Sequence, residues 1–159
     1  MDTAVKAEET TLDSALSPEE IARRSAEAMW ARDDASKWLG MTLDAVGPGT
    51  ATLSMTVVKH HTNGHDICHG GFIFALADSA FAFACNSYNQ TVVAQHNTIS
   101  FHRPGRLGDR LTAAATEVAR NGRSGLYDVA VTNQNDELIA SFRGASRTIA
   151  GKHFDDGTG

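Results

Sequence analysis

Asp78 stands in a segment where a charge is costly. Between Phe72 and Cys85 nearly every other side chain is small or apolar, and Asp78 is the only one that carries charge at neutral pH. Burying a lone carboxylate is unfavourable unless it is paired, hydrogen-bonded or put to use, and such carboxylates concentrate at active sites. One use is attack on an electrophilic carbon; another is activation of water. A purely structural Asp78, bonded to Ser79 or to a backbone group, is the competing reading.

The start of the same segment supplies a second part. His69-Gly70-Gly71 follows Asn63-Gly64 and opens the apolar run. Two glycines let a ligand approach the backbone, and the free N–H groups of a helix start carry the positive end of its dipole. That end can hold a phosphate, or polarise a carbonyl whose oxygen becomes negative in a transition state. From Gly70 to Asp78 an α-helix rises about 12 Å. Groups acting on one reacting centre must lie within about 3 Å of adjoining atoms. A single chain cannot bring both to one carbonyl. Two copies of the helix lying antiparallel can, with Gly70 of one beside Asp78 of the other, so the spacing predicts an obligate homodimer with shared active sites.

The surrounding elements must position these groups. Residues 70–87 are apolar on every face and lack a two-residue period, which predicts a long buried helix. Strand-like runs are expected at about 41–46, 51–58, 91–102, 109–120, 125–133 and 137–149, separated by turn signals such as Gly47-Pro48-Gly49 and Asn121-Gly122. Upstream, Ser17-Pro18-Glu19-Glu20 is a helix-start signal. An amphipathic helix of about four turns follows, ending near Asp33-Asp34. Residues 1–16 lack periodicity and read as a disordered acidic tail, leaving 17–159 as a single domain. One long helix wrapped by an antiparallel sheet of five or six strands, preceded by an N-terminal helix, is an α+β plan.

Composition narrows the partners. The 159 residues carry 14 basic and 19 acidic side chains, a formal charge of −5, which argues against a nucleic-acid partner. No apolar run reaches the roughly 20 residues of a membrane span. The N-terminus has no secretory layout, and two cysteines, Cys68 and Cys85, form no disulfide framework, so a cytoplasmic protein is expected. His60, His61, His65, Cys68 and His69 suggest a metal, and His65-Asp66-Ile67-Cys68-His69 mimics a zinc helix with Asp for Glu. Glycines on both sides predict a loop there instead, so no metal is expected. Neither a phosphate-binding loop nor a dinucleotide fingerprint occurs, and no cofactor is expected.

Asn63-Gly64-His65, Cys68-His69-Gly70-Gly71, Leu76-Ala77-Asp78 and Ala84-Cys85-Asn86-Ser87 resemble the hotdog-fold acyl-CoA thioesterases, specifically those of the aryl-acetyl-CoA type. Phe101-His102-Arg103-Pro104-Gly105, Gly108-Asp109, Tyr127-Asp128 and Phe142-Arg143-Gly144 extend the resemblance over about Trp38 to Ile149. It implies a hotdog fold and hydrolysis of phenylacetyl-CoA, or its ring-hydroxylated form, to CoA and the acid in phenylacetate catabolism. It also implies a tetramer built from two dimers. By the same resemblance, Gly70 polarises the thioester carbonyl through its N–H. Asn63 orients the carbonyl or the water, Asp78 of the partner is nucleophile or general base, and His69 braces the loop. Ala94 departs from relatives that place a hydroxyl residue there to assist the water.

For the CoA phosphates, Arg103, Arg120 and Arg123 are candidates, with Gly71 at the helix start and Gly125 at the Asn121–Gly125 turn. Phe72, Phe74, Phe81 and Phe83 could line an aryl pocket, although helical aromatics are usually core. Two other functions compete. A hotdog enoyl-thioester hydratase or dehydratase would need a positioned acid–base pair. A non-catalytic acyl-CoA sensor would bind without turnover.

Overall fold

The computed structural model describes residues 15–158. Apart from residues 15 and 16, the tail expected at 1–16 lies outside the described residues. Helix α1 spans Pro18–Trp30, with the Ser17 hydroxyl accepting the Glu20 N–H at 3.1 Å and proline in the first turn. It ends sooner than the sequence suggests. Asp33 does not close α1; its Oδ1 accepts the Ser36 N–H at 2.9 Å and caps a separate short helix, α2, Asp34–Trp38. An acidic side chain that captures a free amide marks a new start more readily than an end.

The six strands are β1 (Met41–Gly47), β2 (Thr50–Thr56), β3 (Val92–Phe101), β4 (Arg110–Asn121), β5 (Ser124–Thr132) and β6 (Leu138–Thr148). They form one antiparallel sheet in the order β1-β2-β4-β5-β6-β3. β1 and β3 are therefore its edges. β3 pairs with β6 and is bulged between Ala94 and His96, so residues beyond the bulge keep the phase of Ile99 rather than that of Ala94.

Helix α3, Gly70–Cys85, packs against all six strands. Ile73, Leu76, Ala77, Ala80, Phe81 and Ala84 are buried, whereas Phe72, Phe74, Ala75, Asp78 and Ser79 are only partly covered. The sheet therefore satisfies one side of an all-apolar helix and leaves the other incompletely dressed. Phe81 and Phe83 belong to the core, as helical aromatics usually do. No helix among the described residues is long and apolar enough to cross a membrane.

One strand position is dictated by α3. A Cβ on Gly144 would fall 2.8 Å from Phe81 ring atoms, and that ring is 1% exposed. Gly144→Ala is expected to destabilise the fold by about 1–3 kcal/mol, read as a lower urea midpoint with an unchanged slope.

Candidate active site

The residues 63–69 form a loop, closed where Thr62 bridges Cys68 and the Asn63 N–H donates to the Ile67 carbonyl at 2.9 Å. Below it the His69 N–H donates to the His61 carbonyl at 2.8 Å, tying the loop to the buried His61. The loop delivers the chain into the first turn of α3. His69 caps that turn: its Nδ1 accepts the Gly71 N–H at 2.9 Å. A Cβ on Gly71 would lie 3.1 Å from that nitrogen, so glycine keeps the cap compact.

This capping leaves one amide over. The Gly70 N–H donates to no acceptor among the described residues. Gly70 borders a cleft of about 430 Å³ that is also lined by Asn63, Ile67, Ile73, Phe101 and Arg103. Asn63 spends its Oδ1 on the His65 N–H at 2.9 Å, which leaves its amide hydrogens as donors. Arg103 forms no ion pair among the described residues. The cleft thus combines a free helix-start amide, a carboxamide, a cation and an exposed aromatic edge. Cys68 also borders it, but burial pushes its thiol up to about 11, against a role as nucleophile.

Asp78 does not line this cleft. It sits more than two turns further along α3, half-buried on the partly covered side, and Asn97 Nδ2 of β3 donates to its Oδ1 at 2.9 Å. Its partner is neither Ser79 nor the backbone; the Ser79 hydroxyl bonds that of Ser36 on α2 at 3.1 Å. Burial raises the Asp78 carboxyl above its ordinary value, and the Asn97 bond works the other way. Within one chain the acid and the free amide therefore stay apart.

The remaining candidates also divide. Arg120 and Arg123 lie at the hairpin between β4 and β5. Arg120 stacks 3.6 Å over Tyr88, just past the end of α3, and Arg123 Nε donates to the Thr148 carbonyl at 3.0 Å. Arg103 stands at one end of α3 and the hairpin at the other, about 24 Å of helix between them. Gly125 has a packing reason to be glycine, since a Cβ there would fall 2.6 Å from Ser146 Oγ. Ala94 is exposed on the edge strand.

Asn97 is the site residue that sequence reasoning missed. The signal was strand alternation, which places it in phase with the inward Ile99. The HExxH-like segment is not helical, and no group of three or more His, Cys, Asp or Glu side chains among the described residues is arranged to hold a metal.

The sequence profile of the thioesterase superfamily matches residues 65–140. The chain is 44% identical over 128 residues to the acyl-coenzyme A thioesterase PaaI of Escherichia coli (strain K12), covering 80% of this chain and 91% of that protein. The structure of the E. coli PaaI protein from the phenylacetic acid degradation operon superposes with a TM-score of 0.84 at 43% identity, covering 86% of this chain and 99% of that one. The structure of smu.793 from Streptococcus mutans UA159 bound to acetyl CoA superposes with a TM-score of 0.67 at 26% identity, covering 70% of this chain and 90% of that one. The fold is the hotdog fold of these thioesterases.

Proposed function

This chain belongs to the thioesterase superfamily and is a thioesterase, and from that premise we propose that it hydrolyses acyl-CoA thioesters carrying aromatic acyl groups. Phenylacetyl-CoA or a ring-hydroxylated phenylacetyl-CoA is the substrate, and CoA and the free carboxylic acid are the products, within phenylacetate catabolism. The E. coli relative's operon and its 44% identity support the aryl preference. The observation that carries the reading is the Gly70 N–H, without an acceptor among the described residues, at the start of a long helix and at the border of a cleft.

The working unit is a homodimer with two shared sites. The free edge of β3, with Val93 and Phe101 exposed on it, supports pairing with a second copy. Two-fold pairing of that edge runs the two α3 helices antiparallel, their incompletely covered sides together, and brings Asp78 of one chain towards Gly70 of the other. The same arrangement carries the Arg120–Arg123 hairpin of one chain towards the cleft of its partner. There these arginines, with Arg103, meet the CoA phosphates; the Gly71 N–H is spent on His69 Nδ1 and Gly125 is packed against Ser146, so neither glycine is a phosphate donor. Two such dimers assemble into the tetramer.

In the reaction the thioester oxygen accepts the Gly70 N–H, and Asn63 steadies the carbonyl or the attacking water. Asp78 follows one of two routes. As base it takes a proton from water while the water oxygen bonds to the carbonyl carbon, and the tetrahedral intermediate expels the CoA thiolate. As nucleophile it bonds to that carbon itself, expels the thiolate, and leaves an anhydride that water then opens. The acid–base pair that a hydratase needs is not supported, because the partner of Asp78 is an amide with no proton to exchange in this range.

A coupled thiol assay on phenylacetyl-, hydroxyphenylacetyl-, benzoyl- and aliphatic CoA esters tests the reading. The highest kcat/KM is expected on the two arylacetyl esters. Preference for an aliphatic ester contradicts the aryl assignment, and tight binding without thiol release identifies a sensor.

A further inference from the structure

Asn97 stands on the sheet's edge strand, 19 residues from Asp78 in sequence, and its carboxamide is oriented in an uneven way. Nδ2 donates to Asp78 Oδ1, whereas its own Oδ1 is buried and accepts no hydrogen bond among the described residues. A buried acceptor without a donor costs about 1–3 kcal/mol. An apolar side chain in phase with Ile99 would avoid that penalty, so packing alone gives no reason for an amide here. The bond to Asp78 does. It occupies one carboxylate oxygen and leaves the other, Oδ2, without a partner among the described residues and not sealed from solvent.

We infer that Asn97 is a positioning residue for hydrolysis: it pins Asp78 Oδ1 so that Oδ2 is the oxygen presented to the substrate or the water. The inference rests on the thioesterase reading and deepens it. Gly144, paired with Asn97 on β6, adds no side chain beside it. On the elements nearby, His96 of β3 and Arg143 and Arg147 of β6 are exposed, and Asp33, which caps α2, is engaged with Ser36. On α3 itself burial pushes the Cys85 thiol up to about 12, so it stays neutral. Within the chain, burial and Asn97 are thus what set the Asp78 carboxyl, one raising and one lowering it. Losing the amide donor leaves the raising influence unopposed.

Two variants of the full chain test this, Asn97→Leu and Asn97→Asp. In the first, kcat on phenylacetyl-CoA is expected to fall about tenfold or more at pH 7 with KM within about twofold. The acid limb of the kcat profile should move to higher pH, with recovery towards the alkaline side. Asn97→Asp keeps the shape but sets a second carboxylate against the first, so the pair shares a proton and the limb moves up further. Carbon-13 NMR titration of the Asp78 carboxyl reads the same shift without turnover. It therefore separates failure of this inference from failure of the thioesterase reading. An acid limb and an Asp78 titration unmoved in either variant that folds, whatever the loss in kcat, overturn the inference.

Discussion

Replacing Asp78 by asparagine is expected to reduce thiol release from phenylacetyl-CoA by about 10³-fold or more, without weakening the fold at pH 7. Asparagine has nearly the same shape and can still accept the Asn97 N–H, so the surroundings of α3 need not move. It can neither attack a thioester nor take a proton from water. The stability half of the result follows from the sign of the carboxyl's displacement. Burial raises the Asp78 value in the folded protein. A carboxyl that binds its proton more tightly when folded favours the fold at low pH. That contribution fades as pH rises from the unfolded value through the folded one. At pH 7 the native state therefore carries a charge that its surroundings disfavour, and Asp78→Asn removes it. The variant's Tm should equal or exceed that of the unaltered protein at pH 7, and the difference should shrink as pH falls through the raised folded value of Asp78, vanishing below about pH 4, where both side chains are neutral. Steady-state rates and melting scans across this range check both halves. A variant that loses activity only because it unfolds would point to a structural aspartate.

The second large effect concerns the helix start. Gly70→Asp is expected to lower kcat/KM by about 10²-fold or more, with little loss of stability. An acidic side chain in the first turn is favoured by the helix dipole, and the φ of Gly70 is not in the left-handed region. A side chain there meets only the end of the Phe101 ring, 3.1 Å from the Cβ position, a contact that a shift of a few tenths of an ångström relieves. The substitution instead sets a negative charge where the thioester oxygen would become negative. Gly70→Ala, which adds bulk without charge, should lose less.

Much of the fold was legible because its signals were local. The run 70–87 reads as a helix because it is apolar without a two-residue period, and α3 spans Gly70–Cys85. The six strands lie within a few residues of their expected positions because alternation and turn residues bracket them. Helix α2 escaped notice because five residues are too few to show a period and its cap, Asp33, reads equally well as the end of α1. At the site, Gly70 and Asp78 announced themselves by type, a glycine pair and a charge in apolar surroundings. Asn97 did not, since its importance depends on a strand–helix contact and on a bulge that sets its phase. The arginines were the least legible group. Sequence counts them, but only the fold separates Arg103 at the cleft from Arg120, stacked on Tyr88 at the far end of α3.

The central proposition is that each reaction centre takes its amide from one chain and its acid from another. Co-expressing Asp78→Ala with Gly70→Asp, each expected to retain about 1% of the activity or less alone, tests it most directly. Random pairing makes half the dimers mixed. Each mixed dimer holds one site with both defects and one site with neither, so about one quarter of the unaltered activity should return. Activity that stays at the sum of the two parents, with mixed dimers demonstrated by mass spectrometry, would contradict a site shared between chains.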